Sequence, residues 1–240
     1  MPSSAARLTQ THSTRPGDGD FTCPWWVIGA LAGMFIALAL VTAGANTLAL
    51  DLSISELMQS LDDPLARFAA WIGDHLGGTT TGLTCLAIGF VAAALMRNAR
   101  DAWFLGIAAI LRLLATFLKA LSESPRPSAE QVDPLRIYES TGFPSGHATT
   151  ATLLMGTLAF MVGRRTDRRA TWIALGAMCA VGAVITGFAR IWHGAHWLTD
   201  TVGGMIVGVV IVLVAANLSA TIMQARSIGW RTPRPQTPEP

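Results

Sequence analysis

Charge is scarce in this chain. Of its 240 residues only 13% are Asp, Glu, Lys or Arg, against 51% hydrophobic side chains. An ordinary soluble domain carries about 25% charged residues. The net charge of +2 and the lack of a basic stripe interleaved with aromatics exclude a nucleic-acid-binding role. Cysteine is also rare. Cys23, Cys85 and Cys179 are isolated and odd in number, which excludes a zinc or redox pair of Cys-x-x-Cys type and leaves buried free thiols as the plain reading. No cluster of carboxylates has metal-binding spacing, so neither a metal nor a cofactor is expected. No solenoid-type repeat is present, and Met1 to Asp20 is too polar for a cleavable signal.

Long apolar blocks fill most of what remains, and the mean hydropathy is +0.45. The blocks run for roughly 17–22 residues, the length a helix needs to cross about 30 Å of hydrocarbon. Six spans are expected: Trp25–Asn46, Thr79–Met96, Ala102–Leu121, His147–Val162, Ala170–Phe188 and Val202–Ile222. The fold class is therefore all-α, a six-span transmembrane bundle over residues 25–223. Residues 1–24 and 224–240 are expected to be disordered cytoplasmic ends, because their polar, proline-rich composition cannot pack a core.

Arginine distribution orients the bundle. Arg97 and Arg100 lie between spans two and three, Arg164, Arg165, Arg168 and Arg169 between four and five, and Arg226, Arg231 and Arg234 after six. With Arg7 and Arg15 before the first span, all fall on one side, which the positive-inside rule makes cytoplasmic. The first outer connection, Asp51 to Gly78, has Ile54, Leu57, Met58, Leu61, Leu65, Phe68 and Ile72 at helical spacing. Two short amphipathic helices are expected there, one with a Ser53–Glu56 capping box and one opening at Asp63-Pro64. They either cover the core or help to admit lipid. Gly204 and Gly208 form a Gly-x-x-x-Gly face for close helix packing.

Three polar blocks interrupt the apolar pattern on the outer side. Ionisable groups at membrane depth are costly, so each is a functional candidate. In the first block Lys119 ends a span, and Arg126 follows in a turn stiffened by Pro125 and Pro127. Arginine offers paired donors and lysine a movable point charge, as a phosphate requires; helix-end snorkelling is the bland alternative. In the second, Ser145 is a natural N-cap, Gly146 lets an anion approach the backbone, and His147 sits in the first helical turn. In the third, Arg190 closes a span, and His196 and Asp200 stand four residues apart. A carboxylate on one ring nitrogen fixes the tautomer and leaves the other nitrogen basic. His193 is a second histidine nearby, expected as a loop or substrate-contact residue.

Lys-x6-Arg-Pro, Pro-Ser-Gly-His and Arg-x5-His-x3-Asp, in that order, resemble the type 2 phosphatidic acid phosphatase (PAP2) family, whose superfamily also includes bacterial acid phosphatases and vanadium haloperoxidases. One departure is Ala189, where the family usually has serine. The resemblance implies that His196 is a nucleophile forming a phosphohistidine, Asp200 its orienting acid, and His147 the general acid and base. It implies that Lys119, Arg126, Arg190, Ser145 and Gly146 bind the phosphate. The partners implied are the bilayer and a membrane lipid phosphate such as undecaprenyl diphosphate, phosphatidic acid, phosphatidylglycerol phosphate or a lipid A phosphate. The loop charges put the site on the outer face, and small size and compact loops point to a bacterial cytoplasmic membrane. Lipid-to-lipid phosphotransfer on the same fold is the alternative. A lipid or anion transporter is a weaker rival, fed by the mid-span Arg112.

Overall fold

The computed structural model describes residues 22–44, 48–122 and 124–229. Of the ends expected to be disordered, 1–24 and 224–240, residues 1–21 and 230–240 lie outside the described residues, whereas 224–229 are not disordered but continue the last helix. Among the described residues every regular element is helical. The helices are α1 (Trp25–Thr42), α2 (Ala49–Gln59), α3 (Pro64–Gly77), α4 (Thr79–Leu95), α5 (Ala99–Leu114), α6 (Gly146–Gly163), α7 (Arg169–Trp192) and α8 (Leu198–Gly229). A 3₁₀ segment, Ala115–Leu121, carries α5 onward. α8 runs past residue 223, where the membrane unit was expected to end.

A helix occupies each of the six expected positions. By length and composition four can cross a membrane: Trp25–Thr42, Ala99–Leu121, Arg169–Trp192 and Leu198–Ser227. α3 and α4 add a fifth if counted as one span bent by 51°. The chain is thus an integral membrane protein with four or five such spans among the described residues, fewer than the six expected. The difference lies in α6. Its threonines 149, 150, 152 and 157 lower its hydropathy, and it can afford them because it packs against α3, α4, α5, α7 and α8.

Local sequence explains the helix starts. Asp63 caps α3, accepting from the Ala66 N–H at 2.9 Å, with Pro64 in the first turn. Ser145 caps α6 through the Ala148 N–H. The Ser53–Glu56 capping box does not form. α2 begins a turn earlier, at Ala49, so Ser53 lies inside it. That earlier start brings Asp51 into the first turn. There its two oxygens accept the N–H (2.9 Å) and hydroxyl (2.8 Å) of Thr199, supplying the cap of α8 from a distant helix. The cysteines also differ from expectation: all three are free, but Cys85 is exposed and the other two only half-buried. In a bilayer an outward-facing thiol meets lipid, so it needs no buried position.

Two close helix contacts define the bundle. A Cβ on Gly204 would stand 2.3 Å from the Ser145 carbonyl oxygen, and one on Gly208 would stand 2.8 Å from that of Thr149. The Gly-x-x-x-Gly face therefore sets α8 directly on the start of α6. On the other side, Gly73 and Gly77 of α3 lie against Ile185, Ala189, Thr186 and His147. The outer-connection helix α3 is thus wedged into the bundle rather than laid over it. Its residue Gly73 would bring a Cβ to 2.6 Å from that of Ala189. Gly204→Val is expected to lower stability by at least about 1–3 kcal/mol, the usual cost of overpacking. Thermal unfolding of the purified protein in detergent measures this. An unchanged midpoint would show that the two helices can part without cost.

Candidate active site

The third polar block folds as one knot. α7 ends at Trp192, and Gly194 takes φ +61°, a left-handed conformation in which a Cβ would meet the Pro134 backbone at 2.7 Å. This turn sends both the Ala195 and His196 N–H groups to the Arg190 carbonyl, at 3.0 and 3.2 Å. His196 therefore stands beside Arg190 although six residues separate them. It lies in the turn before α8 and not on the helix, so Asp200 reaches back from the first helical turn. Its Oδ2 lies 3.1 Å from His196 Nδ1 and accepts the Trp197 N–H at 3.1 Å. Asp200 is fully buried. Gly142 makes room for it: a Cβ there would sit 2.7 Å from Oδ2.

The second block docks on this knot through the backbone. The Ser145 N–H donates to the Asp200 carbonyl at 2.9 Å. The first block closes it. Trp197 Nε1 donates to the Pro125 carbonyl at 3.0 Å, which fixes the turn carrying Arg126. Arg126 donates to the carbonyls of Ser140 (2.8 Å) and Ala195 (2.6 Å), lies over the Tyr138 ring, and places Nη1 3.2 Å from His196 Nε2. A guanidinium can only donate. The Nε2 lone pair therefore faces the cation, and Nδ1 carries the proton given to Asp200. Burial, and then Arg126, Lys119 and Arg190, hold the His196 pKa well below its ordinary value, so the imidazole is neutral. A neutral ring with an unprotonated, oriented Nε2 is the nucleophilic form, open to phosphorus once an incoming phosphate oxygen takes the Arg126 donor from it.

These residues share a cavity of about 260 Å³. Lys119, Arg126, Gly146, His147, Arg190 and His196 line it, together with Arg112, Thr79 and Tyr138. The His147 ring nitrogens make no hydrogen bond among the described residues, so both are free for a ligand. Ser145 and Asp200 do not line the cavity. Ser145 is fully buried and spends its hydroxyl on the helix cap, so its place is behind the wall. His193 also turns away, towards a groove with Gln59, Asp62 and Trp192. Its Nδ1 lies 2.8 Å from Arg190 Nη2, which makes it a support for that cation and not a substrate contact.

Asp74 escaped the sequence reading. It comes from α3 and pairs with Arg190 Nη2 at 2.8 Å. Its only sequence signal was a carboxylate near the end of an amphipathic helix, and nothing in local spacing ties it to Arg190. Among the described residues no group of three or more His, Cys, Asp or Glu is placed to hold a metal ion.

A profile of the PAP2 superfamily matches residues 101–224, more than half of the chain and all three blocks. The protein belongs to the PAP2 superfamily. It is 26% identical over 190 residues to phosphatidylglycerophosphatase B of Bacillus subtilis (strain 168), covering 70% of this chain and 88% of that one. Its fold resembles the crystal structure of a transmembrane PAP2 type phosphatidylglycerolphosphate phosphatase from Bacillus subtilis, with a TM-score of 0.67 at 23% identity over 81% of this chain and 96% of the other. It also resembles that of Aquifex aeolicus LpxE, with a TM-score of 0.53 at 20% identity over 74% and 98% of the two chains.

Asp200→Asn keeps the shape but loses the charge, and its amide can turn a donor toward Nδ1, so the His196 tautomer is no longer fixed. It is expected to lower kcat about 10²–10⁴-fold in a phosphate-release assay, with KM little changed. Asp74→Asn removes the counter-ion of Arg190 and is expected to raise KM about tenfold. Wild-type kinetics in both variants would detach these carboxylates from the site.

Proposed function

We propose that this protein is a lipid phosphate hydrolase of the inner membrane, working through a phosphohistidine on His196 and needing no metal. The observation that carries the proposal is the His196 ring, held between Asp200 and Arg126 at the wall of a cationic cavity. Phosphoryl transfer asks mainly for positioning and for stabilisation of charge on the transferring oxygens. Lys119, Arg126, Arg190 and the start of α6 at Gly146 offer that stabilisation from several directions. Nε2 attacks phosphorus as the bond to the lipid oxygen breaks, and His147 gives that oxygen a proton. Water then attacks the phosphohistidine, losing its proton to His147, and the N–P bond breaks to release inorganic phosphate. Ser145 contributes by capping α6, whose first residues Gly146 and His147 line the cavity.

The arginine pattern of the connections supports an outward-facing site with both termini in the cytoplasm. A cavity at the end of apolar helices suits a substrate whose tails stay in the bilayer. The names of the relatives support a glycerophospholipid phosphate, and the cationic excess of the cavity a prenyl diphosphate. A lipid hydroxyl replacing water in the second step would make the protein a phosphotransferase.

Purified protein is expected to release phosphate from a panel of phosphatidic acid, phosphatidylglycerol phosphate and prenyl diphosphates, in the presence of a chelator. His196→Ala and His147→Ala are expected to lower release by about 10³-fold or more while remaining folded. Radiolabelled phosphate is expected to trap on His196. Label on His193, or undiminished release by either variant, would overturn the mechanism.

A further inference from the structure

Arg112 is a fourth cation in the cavity, outside the three motif blocks. It is only 3% exposed, on α5, seven residues before Lys119. Its Nε donates to Thr150 Oγ1 at 3.0 Å, and its Nη2 to Thr79 Oγ1 at 2.9 Å and to the Gly146 carbonyl at 3.3 Å. All three acceptors are neutral. Among the described residues no carboxylate pairs with it and no acceptor meets Nη1. Among the described residues the acids near the cavity are already engaged, Asp74 by Arg190 and Asp200 by His196 and the Trp197 N–H. A buried guanidinium without a counter-ion is costly. Bonding two threonines and a carbonyl would not require a charge; a neutral amide would serve. The charge calls for an anion, and the open side of Arg112 is the cavity itself.

The reacting phosphate does not account for it. A phosphate monoester carries about −1.5 to −2 charges on three oxygens. Lys119, Arg126 and Arg190 already line the cavity beside His196, three cations for those three oxygens. Arg112 lies along α5 beyond Thr116 and Ala115, two helical turns from Lys119 and away from the turn that holds Arg126. We propose that Arg112, with the Thr79 hydroxyl, forms a second anion subsite that takes the inner phosphoryl group of a lipid diphosphate. This rests on the hydrolase reading and names its substrate class. Nε2 would bond to the terminal phosphorus while the P–O bond to the bridging oxygen breaks. The bonding pair leaves with the lipid monophosphate, whose new charge Arg112 faces. Hydrolysis of the phosphohistidine by water then yields inorganic phosphate, so lipid diphosphate and water give lipid monophosphate and phosphate. A leaving phosphate depends less on a proton from His147 than a leaving alcohol does, which makes a cation at this position useful.

The test compares Arg112→Gln and Arg112→Lys with the wild type, using a prenyl diphosphate and the monophosphate of the same tail. Arg112→Gln is expected to lower kcat/KM for the diphosphate about 10–100-fold, the worth of a charge-assisted hydrogen bond, and to leave the monophosphate nearly unchanged. Arg112→Lys is expected to restore part of the loss. Pyrophosphate binding, read by calorimetry, is expected to weaken by a similar factor, with orthophosphate binding preserved. Equal losses on both substrates, or none on either, would overturn the subsite. If the wild type released no phosphate from any lipid while Arg112 still governed pyrophosphate binding, the hydrolase reading would fall and the subsite would stand.

Discussion

The approach of α8 to the first turn of α6 is the contact on which the rest depends. Without side chains at Gly204 and Gly208, the two backbones come within van der Waals distance. Only then can the Ser145 N–H reach the Asp200 carbonyl. That bond ties the helix start that offers free N–H groups to the turn that carries His196. Separation between helices in a membrane is set by packing, since lipid tails compete well with any apolar side chain. Glycine at two positions one turn apart is therefore the means by which a backbone bond can form there.

The other walls of the cavity hang from this contact by polar ties. Trp197 holds Pro125 and so aims Arg126. Asp51 caps α8 from α2, which steadies the turn below His196. α3 supplies Asp74 to Arg190 through its glycine contact with α7. Arg126 and Arg190 are thus fixed at the cavity wall before any ligand arrives. Fixed charges need no reorganisation when charge develops on a transferring group, and this is where electrostatic catalysis gains most. At the opposite end of α5 and α6, Asp101 pairs with Arg164 and Arg165, so those arginines tie the two helices together.

The polar blocks were legible because their spacing is local. Ser145 as a cap, Asp63-Pro64 as a helix start and Gly204 with Gly208 as a packing face each follow from neighbours a few residues apart. The capping box at Ser53 misled because a tertiary partner competed: α2 starts early so that Asp51 can meet Thr199. Length and hydropathy pass over α6 as a span for a related reason. Hydropathy measures fitness for lipid, and α6 is wrapped largely by protein, so its threonines carry no membrane penalty.

Sequence alone determined the residue types of the site, their order and the apolar lengths between them, since helical periodicity and capping act over a few residues. Tertiary structure decided which groups face the cavity. It put Ser145 and His193 behind the wall, brought Asp74 to Arg190, and left Arg112 without an acid among the described residues. Those outcomes depend on which helices touch and how closely. Such contacts join residues far apart in the chain, and no local spacing encodes them.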